Sequence, residues 1–265
     1  MTVETITLGD IRMRYMKFGT GGDVLVILPG LSIKPVTESG AAVEQGFEMF
    51  TKKYTVYLFD RRINPPTGYS INDMADDTVM IMNHLGILKA DIFGASQGGM
   101  IGLVVAQKHP ELVNKMVAAS TLSRVNPLFD DTVQKWLEPA KSGDLKKLSE
   151  SMTELIYSEK TLEMFKDVIL SGLLTATEEE IKDFVIFTEA CLGFDCFDGL
   201  SEIKCPLLIM GSKGDKVLSP EGAYEIYETV GKDKAEIYMY DESFGHAVYD
   251  EAPDFRERML KFFEK

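Results

Sequence analysis

Short apolar runs alternate along this chain with segments of helical period, and few folds accommodate that alternation. Residues 24–28 (VLVIL) and 56–59 (VYLF) are continuously apolar and rich in β-branched or aromatic side chains, as is typical of strands buried on both faces. From Ile71 to Leu85, apolar residues recur instead every three or four positions, which indicates an amphipathic helix. Strands that alternate with helices predict an α/β fold with a mostly parallel sheet between layers of helices. Further strands are predicted at 5–8, 12–18, 90–95, 115–119, 206–210 and 237–240, and further helices at 97–108, 220–229 and 252–263.

The alternation fails between residues 122 and 197, where only helical periods occur. This stretch is short for an independent domain, so it is interpreted as a helical insertion. The sequence therefore predicts an α/β core formed by residues 1–121 and 198–265, with a helical segment at 122–197. A length of 265 residues suits one large domain of this kind.

Composition narrows the classes of partner. With 42 acidic against 28 basic residues and a formal net charge of −14, the chain would repel a phosphate backbone, so nucleic acid is not expected as a partner. No apolar run approaches the 18 residues of a membrane span, and the acidic start differs from a secretory signal, so a cytoplasmic location is expected. The spacing of the cysteines and histidines predicts neither a metal site nor a disulfide framework.

A serine stands between glycines in the segment Gly94-Ala95-Ser96-Gln97-Gly98. The pattern G-x-S-x-G alone has little weight, because chance places it in roughly one chain in ten of this length. The position of the pattern carries more weight, since a predicted strand leads into it and a predicted helix follows it. A tight strand-to-helix turn requires small residues on both sides of a strained central residue. Ser96 is therefore the candidate nucleophile.

A serine hydroxyl needs a base, and the base needs a carboxylate that orients it. His246 follows Gly245 in the loop between the last predicted strand and helix, whereas His84 and His109 stand at helix ends. Asp215 lies just beyond the carboxyl end of a predicted strand, where active-site residues collect in parallel sheets. His246 is the preferred base and Asp215 the preferred acid, with Asp198 and Asp241 as the competing carboxylates.

These three segments, in the order Ser96, Asp215, His246, resemble the nucleophile turn, acid turn and histidine loop of α/β-hydrolase-fold proteins. The stretch Asp60-Arg61-Arg62 with Gly68-Tyr69-Ser70 is similar to another segment of that family. The resemblance implies an oxyanion hole formed by the backbone N–H groups of Gln97 and Leu31, and it implies that residues 122–197 form a cap. It also implies that apolar side chains of the cap line the substrate pocket, for which the candidates are Phe129, Trp136, Leu137 and Phe187.

The activity implied by this resemblance is that of a carboxylesterase-like serine hydrolase acting on a small to medium, largely apolar acyl substrate. It needs no metal and no organic cofactor. A C–C bond hydrolase, a proline aminopeptidase, an acyltransferase and a non-catalytic ligand-binding protein of the same fold stay open as alternatives. The sequence does not indicate the oligomeric state.

Overall fold

The computed structural model describes residues 2–265, and its centre is a single eight-stranded sheet. The predicted strands are all present, several of them longer than expected; the strand expected at 56–59, for example, runs from Tyr54 to Arg62. The strands are β1 (Thr2–Leu8), β2 (Ile11–Phe18), β3 (Asp23–Leu28), β4 (Tyr54–Arg62), β5 (Ala90–Ala95), β6 (Val113–Ala119), β7 (Leu207–Ser212) and β8 (Ala235–Tyr240).

The order of the strands in the sheet is β1-β2-β4-β3-β5-β6-β7-β8. β2 pairs antiparallel with both β1 and β4, and all the other pairs are parallel. The chain leaves β3 towards one edge of the sheet, to β4, and leaves β5 towards the other edge, to β6. Such a reversal opens a crevice at the carboxyl ends of the two neighbouring strands, here β3 and β5. The expected α/β-hydrolase fold is confirmed.

Helices cover both faces of the sheet, as the doubly apolar strands require. Along β3, Leu25 and Ile27 face one hydrophobic cluster, whereas Val26 and Leu28 face the other. The helices are α1 (Gly40–Gly46), α2 (Ile71–His84), α3 (Gln97–Lys108), α4 (Pro127–Ser142), α5 (Leu145–Ile156), α6 (Glu159–Leu173), α7 (Glu178–Glu189), α8 (Glu221–Val230), α9 (Val248–Glu251) and α10 (Phe255–Glu264).

Local chemistry explains where several helices begin. The Ser70 hydroxyl accepts from the backbone N–H of Asp73, and the Asp73 carboxylate accepts from that of Ser70, so a capping box begins α2. The final helix, expected at 252–263, begins later, at Phe255, as α10, and a separate one-turn helix, α9, precedes it. Ala252 precedes Pro253 and has the extended backbone (ψ 121°) that a following proline favours, which ends α9. Helix α1 was not predicted from the sequence.

Four helices, α4 to α7, stand between β6 and β7 and are called the inserted helices below. They cover the stretch where the sequence shows helical periods only. In the described residues 2–265, no helix has both the length and the apolar character needed to cross a bilayer.

Candidate active site

Ser96 occupies a strained turn between β5 and α3. Its backbone has φ 52° and ψ −120°, a combination that L-residues rarely adopt. A Cβ on Gly94 would lie 2.5 Å from the Gly98 carbonyl oxygen, and a Cβ on Gly98 would lie 1.9 Å from the carbonyl oxygen of Leu28. Both glycines are therefore required by close backbone approach, which is why their spacing could predict the turn.

The structure brings Ser96, His246 and Asp215 together. His246 Nε2 lies 2.9 Å from Ser96 Oγ, and His246 Nδ1 lies 2.7 Å from Asp215 Oδ2. A carboxylate only accepts, so Nδ1 carries the proton in this arrangement and Nε2 is free to accept from the serine hydroxyl. All three residues are buried. Of the competing groups, Asp241 accepts from Ser243 on the surface and makes no contact with the imidazole.

The remaining histidines lie at helix ends. His84 is the exposed last residue of α2, and His109 follows α3, where its ring contacts the carboxylate of Glu111 at 3.3 Å. Neither is hydrogen-bonded to Ser96. His246 is therefore the histidine that can act as base.

Asp215 is held in its ionised form. Burial by itself raises the pKa of this carboxyl, but the neighbouring His246 and backbone N–H donors outweigh burial, so the pKa lies below its ordinary value of 3.8. The donors are Val217 and Leu218, whose N–H groups lie 2.8 and 3.0 Å from Oδ1. Asp215 therefore stays a carboxylate at neutral pH and can orient the imidazole.

The loop that carries His246 is anchored by residues that the sequence analysis did not identify. Ser120 donates its hydroxyl to the His246 carbonyl at 2.7 Å. Glu251, in α9, accepts from the N–H of Gly245 and from that of Ser158, both at 2.7 Å. Gly245 directly precedes His246, and Ser158 lies between α5 and α6. One carboxylate therefore joins the histidine loop to the inserted helices. An isolated glutamate on a one-turn helix carries no sequence signal for this contact.

The groups expected to form an oxyanion hole lie beside Ser96. Gln97 is the first residue of α3 and Leu31 follows β3, and neither backbone N–H has a partner in residues 2–265. A Cβ on Gly30 would lie 3.3 Å from Ser96 Cβ, so the loop after β3 touches the serine. Ser32, a further candidate donor, gives its hydroxyl to the Lys34 carbonyl at 2.8 Å instead.

The end of β4 holds this loop at two points. The Asp60 carboxylate accepts from the N–H groups of Val36 and Thr37, both at 3.0 Å. The next residue, Arg61, donates to the Pro29 carbonyl and to the side chain of Gln97. The Asp-Arg pair quoted from the sequence therefore anchors the loop after β3 on both sides of Leu31.

A cleft lies between residues 32–35, the end of β4 and the first turns of α7. Its lining combines apolar side chains with charged ones, the basic groups coming from the core and acidic groups from α7. Of the four predicted pocket residues, Phe187 lines this cleft, whereas Phe129, Trp136 and Leu137 do not and are buried in the larger hydrophobic cluster. The basic residues are Arg14, Lys34, Arg61 and Arg62, and the acidic residues of α7 are Glu179, Glu180 and Asp183.

Other nucleophiles and metal ligands are not assembled at the site. Burial raises the pKa of the Cys191 thiol to about 11, which disfavours the reactive thiolate. Within residues 2–265, no three His, Cys, Asp or Glu side chains come together as they would around a metal ion.

Comparison with known proteins agrees with this architecture. The model of the alpha/beta hydrolase fold family matches residues 24–253. A protein of Rhizobium rhizogenes named "Putative carbamate hydrolase RutD" is 27% identical, over 84% of this chain and 88% of its own. 3-oxoadipate enol-lactonase 2 of Acinetobacter baylyi is 21% identical, over 92% of this chain and 94% of its own. The crystal structure of MGS-M2, an alpha/beta hydrolase enzyme from a Medee basin deep-sea metagenome library, has a TM-score of 0.88 at 26% identity, covering 99% of this chain and 98% of its own. Because the family model spans most of its length, this chain belongs to the alpha/beta hydrolase family and is a hydrolase.

Proposed function

We propose that this chain is a serine hydrolase that cleaves a carboxylic ester, or a related acyl bond, through an acyl-enzyme on Ser96. The observation that carries the proposal is the continuous hydrogen-bonded line from Ser96 Oγ through His246 to Asp215, at 2.9 and 2.7 Å. Distances in this range are those at which a base can take a proton from a nucleophile.

The mechanism follows from the donors and acceptors on that line. His246 Nε2 takes the hydroxyl proton while Ser96 Oγ attacks the substrate carbonyl, and the imidazolium then gives the proton to the leaving group. Asp215 holds the imidazole in the required tautomer and stabilises its charged form. Water, activated by the same imidazole, attacks the acyl-enzyme and regenerates the free serine.

Negative charge develops on the substrate oxygen in each of the two steps. The unpaired N–H groups of Gln97 and Leu31 are the donors proposed for it. Backbone donors that are already in position stabilise this charge without reorganisation, and loss of one such donor costs about 10²- to 10³-fold in kcat. Gln97 directly follows Ser96 in the turn after β5, which supports its N–H as a donor beside the serine hydroxyl.

The relatives bear names of a carbamate hydrolase and an enol-lactonase, which cleave an acyl C–N or C–O bond. Both reactions have a tetrahedral intermediate with the same charge distribution, so both are compatible with one serine mechanism. We propose a small to medium, largely apolar acyl substrate, with Phe129, Trp136, Leu137 and Phe187 as the pocket residues. These four side chains are among the apolar groups of α4 and α7 that are buried.

The test is a panel of acyl substrates assayed with the wild-type protein and two variants. The panel contains p-nitrophenyl acetate, butyrate and octanoate, δ-valerolactone and a p-nitrophenyl carbamate. The variants are Ser96→Ala and His246→Ala, with circular dichroism as the measure of folding. Glu111→Gln, which removes a carboxylate far from Ser96 beside His109, is the matched control.

We expect the wild-type protein to turn over at least one short-chain ester. Both active-site variants should lose that turnover, and the Glu111→Gln control should keep it. Turnover that survives in Ser96→Ala would overturn the serine mechanism. A folded wild-type protein that cleaves no member of the panel and is not acylated by any would favour a ligand-binding role on the same fold.

A further inference from the structure

Arg61 contacts the two segments that carry the proposed oxyanion donors. Its Nε–H donates to Gln97 Oε1 at 3.0 Å, and its Nη2 donates to the Pro29 carbonyl. Gln97 supplies one donor with its own backbone, and Pro29 lies two residues before Leu31, which supplies the other. No backbone hydrogen bond joins residues 29–31 to residues 96–98 in the described chain, so the planar guanidinium is the polar link between them.

The electrostatic setting of Arg61 is unusual for a structural arginine. Both of its acceptors are neutral, and in residues 2–265 no carboxylate lies within ion-pair distance of it. The neighbouring Asp60 directs its carboxylate towards Val36 and Thr37. Burial lowers the pKa of Arg61 to about 10, so the group is charged at neutral pH without an ion-pair partner. A half-buried charge without an ion-pair partner contributes little to stability, and its contacts with both donor segments point to a role in function.

Arg61 also fixes the orientation of the Gln97 amide. A guanidinium only donates, so Gln97 must present Oε1 to it and turn Nε2 the other way. That Nε2 donates to the Phe187 carbonyl at 2.7 Å and lies 3.2 Å from Cys191 Sγ. A line of hydrogen bonds thus runs from the Pro29 loop through Arg61 and Gln97 to α7.

We propose that Arg61 is a positioning residue that sets the oxyanion hole by holding the Pro29–Leu31 loop at a fixed distance from Gln97. The inference rests on the proposed serine mechanism, because the hole has a role only if an oxyanion forms. The hole binds charge that develops in the transition state, so an error in its geometry lowers kcat and leaves substrate binding largely unchanged.

The test compares Arg61→Met, Arg61→Lys and Arg61→Ala with Arg12→Met. Arg12 is exposed on β2, does not line the cleft and makes no contact with Pro29 or Gln97, so its replacement removes the same charge without touching the loop. The measurements are kcat and KM for p-nitrophenyl acetate, the melting temperature, and the rate at which a fluorophosphonate labels Ser96. A second ester, with a carboxylate at the end of its acyl chain, is run in parallel.

Arg61→Met is expected to lower kcat by about 10- to 100-fold, since an error of about 1 Å at a reacting centre costs up to 10²-fold. KM should stay within about twofold of the wild-type value, because ground-state binding is not affected. Lysine can reach one acceptor but not both, so Arg61→Lys should fall between wild type and Arg61→Met. Guanidinium chloride at low millimolar concentration should restore part of the kcat of Arg61→Ala, and Arg12→Met should match wild type.

An unchanged kcat in Arg61→Met overturns the inference. So does a rise in KM confined to the carboxylate-bearing ester with kcat retained, which would assign Arg61 to substrate binding. If Arg61→Met does not fold, Arg61→Lys and the guanidinium experiment decide the question by the same criteria. Absence of labelling in the wild-type protein would instead defeat the proposed function, whereas labelled wild type with unaffected Arg61 variants defeats this inference alone.

Discussion

Replacing Glu251 by alanine is expected to loosen the loop that carries His246 and to lower both stability and turnover. The Glu251 carboxylate accepts two backbone N–H groups at 2.7 Å, one from Gly245 and one from Ser158. Alanine removes both acceptors at once. The N–H of Gly245, beside His246, is then left in a buried position without a partner, and the loop stays joined to the inserted helices through the bond from the Ala247 N–H to the Ile156 carbonyl.

The expected loss of stability follows from those two bonds. A hydrogen bond to a charged group contributes about 1.5–3 kcal/mol, and a half-buried carboxylate such as this one belongs at the lower end of that range. The pair therefore contributes about 3 kcal/mol, which corresponds to roughly 6–12 °C in Tm for a chain of this size. A displaced imidazole should also lower kcat by roughly 10- to 100-fold, because proton transfer depends on its position to within about 1 Å.

The assay is thermal unfolding by circular dichroism together with ester hydrolysis. Asp250→Asn is the matched control, because it removes a neighbouring negative charge that pairs with Arg256 and not with the histidine loop. That partly exposed pair is expected to contribute at most about 1 kcal/mol. If Glu251→Ala has the same Tm and kcat as Asp250→Asn, the role assigned to the two backbone bonds is refuted.

Three further outcomes are expected. Asp215→Asn should fold and lose about 10⁴-fold in kcat. Because folding lowers the pKa of Asp215, its contribution to stability is complete above pH 3.8 and is lost as the pH falls below that value. The difference in unfolding free energy between wild type and variant should therefore shrink in that acid range, and a constant difference would contradict the assignment. Gly98→Ala places a Cβ 1.9 Å from the Leu28 carbonyl oxygen and should prevent folding or destabilise the fold by several kcal/mol. Gly22→Ala, whose Cβ would have no atom within 4 Å, should leave stability unchanged. Equal melting temperatures of the two variants would contradict the close approach at Gly98. Helix α6 has no buried residue, so its amides should exchange faster than those of the other inserted helices, and slower exchange measured by mass spectrometry would argue against a loosely packed α6.

The core of the fold could be predicted because the spacing of apolar residues along the chain indicates which faces of an element are buried. Strands such as β3 and β4 are apolar on both sides, and α2 repeats every three or four residues, so each element carries its own signal. Helix α1 has a short sequence with two glycines, GAAVEQG, and lacks such a signal. The break between α9 and α10 depends on Ala252, the residue before a proline, and it moves the start of the last helix without changing the apolar pattern.

Ser96, Asp215 and His246 could be identified because each follows a strand in a loop whose composition is constrained by geometry. The turn around Ser96 admits only small neighbours, and that requirement is visible in the sequence. Glu251 and Arg61 could not be assigned a role in this way, because each contacts a segment far away along the chain, Glu251 at Ser158 and Arg61 at Gln97. Only the folded chain brings those partners together.

The charged cleft beside α7 was also outside the reach of sequence reasoning. Apolar periodicity predicts which residues are buried but not whether they line a cavity or fill a core. Phe129 and Trp136 are buried on α4, yet they pack in the hydrophobic cluster, and the cleft is lined by charged and apolar groups from the loop after β3, β4 and α7. The assignment of the four apolar residues to a substrate pocket stays a prediction.

Reaction with a fluorophosphonate, followed by intact-mass analysis and peptide mapping, tests the serine mechanism most directly. The reagent needs an activated serine and an oxyanion site, and it needs no knowledge of the natural substrate. The serine mechanism predicts a single adduct on Ser96 in the wild-type protein and none on Ser96→Ala or His246→Ala. A folded wild-type protein that forms no adduct, or forms it on another residue, would contradict the claim that Ser96, His246 and Asp215 work as one catalytic unit.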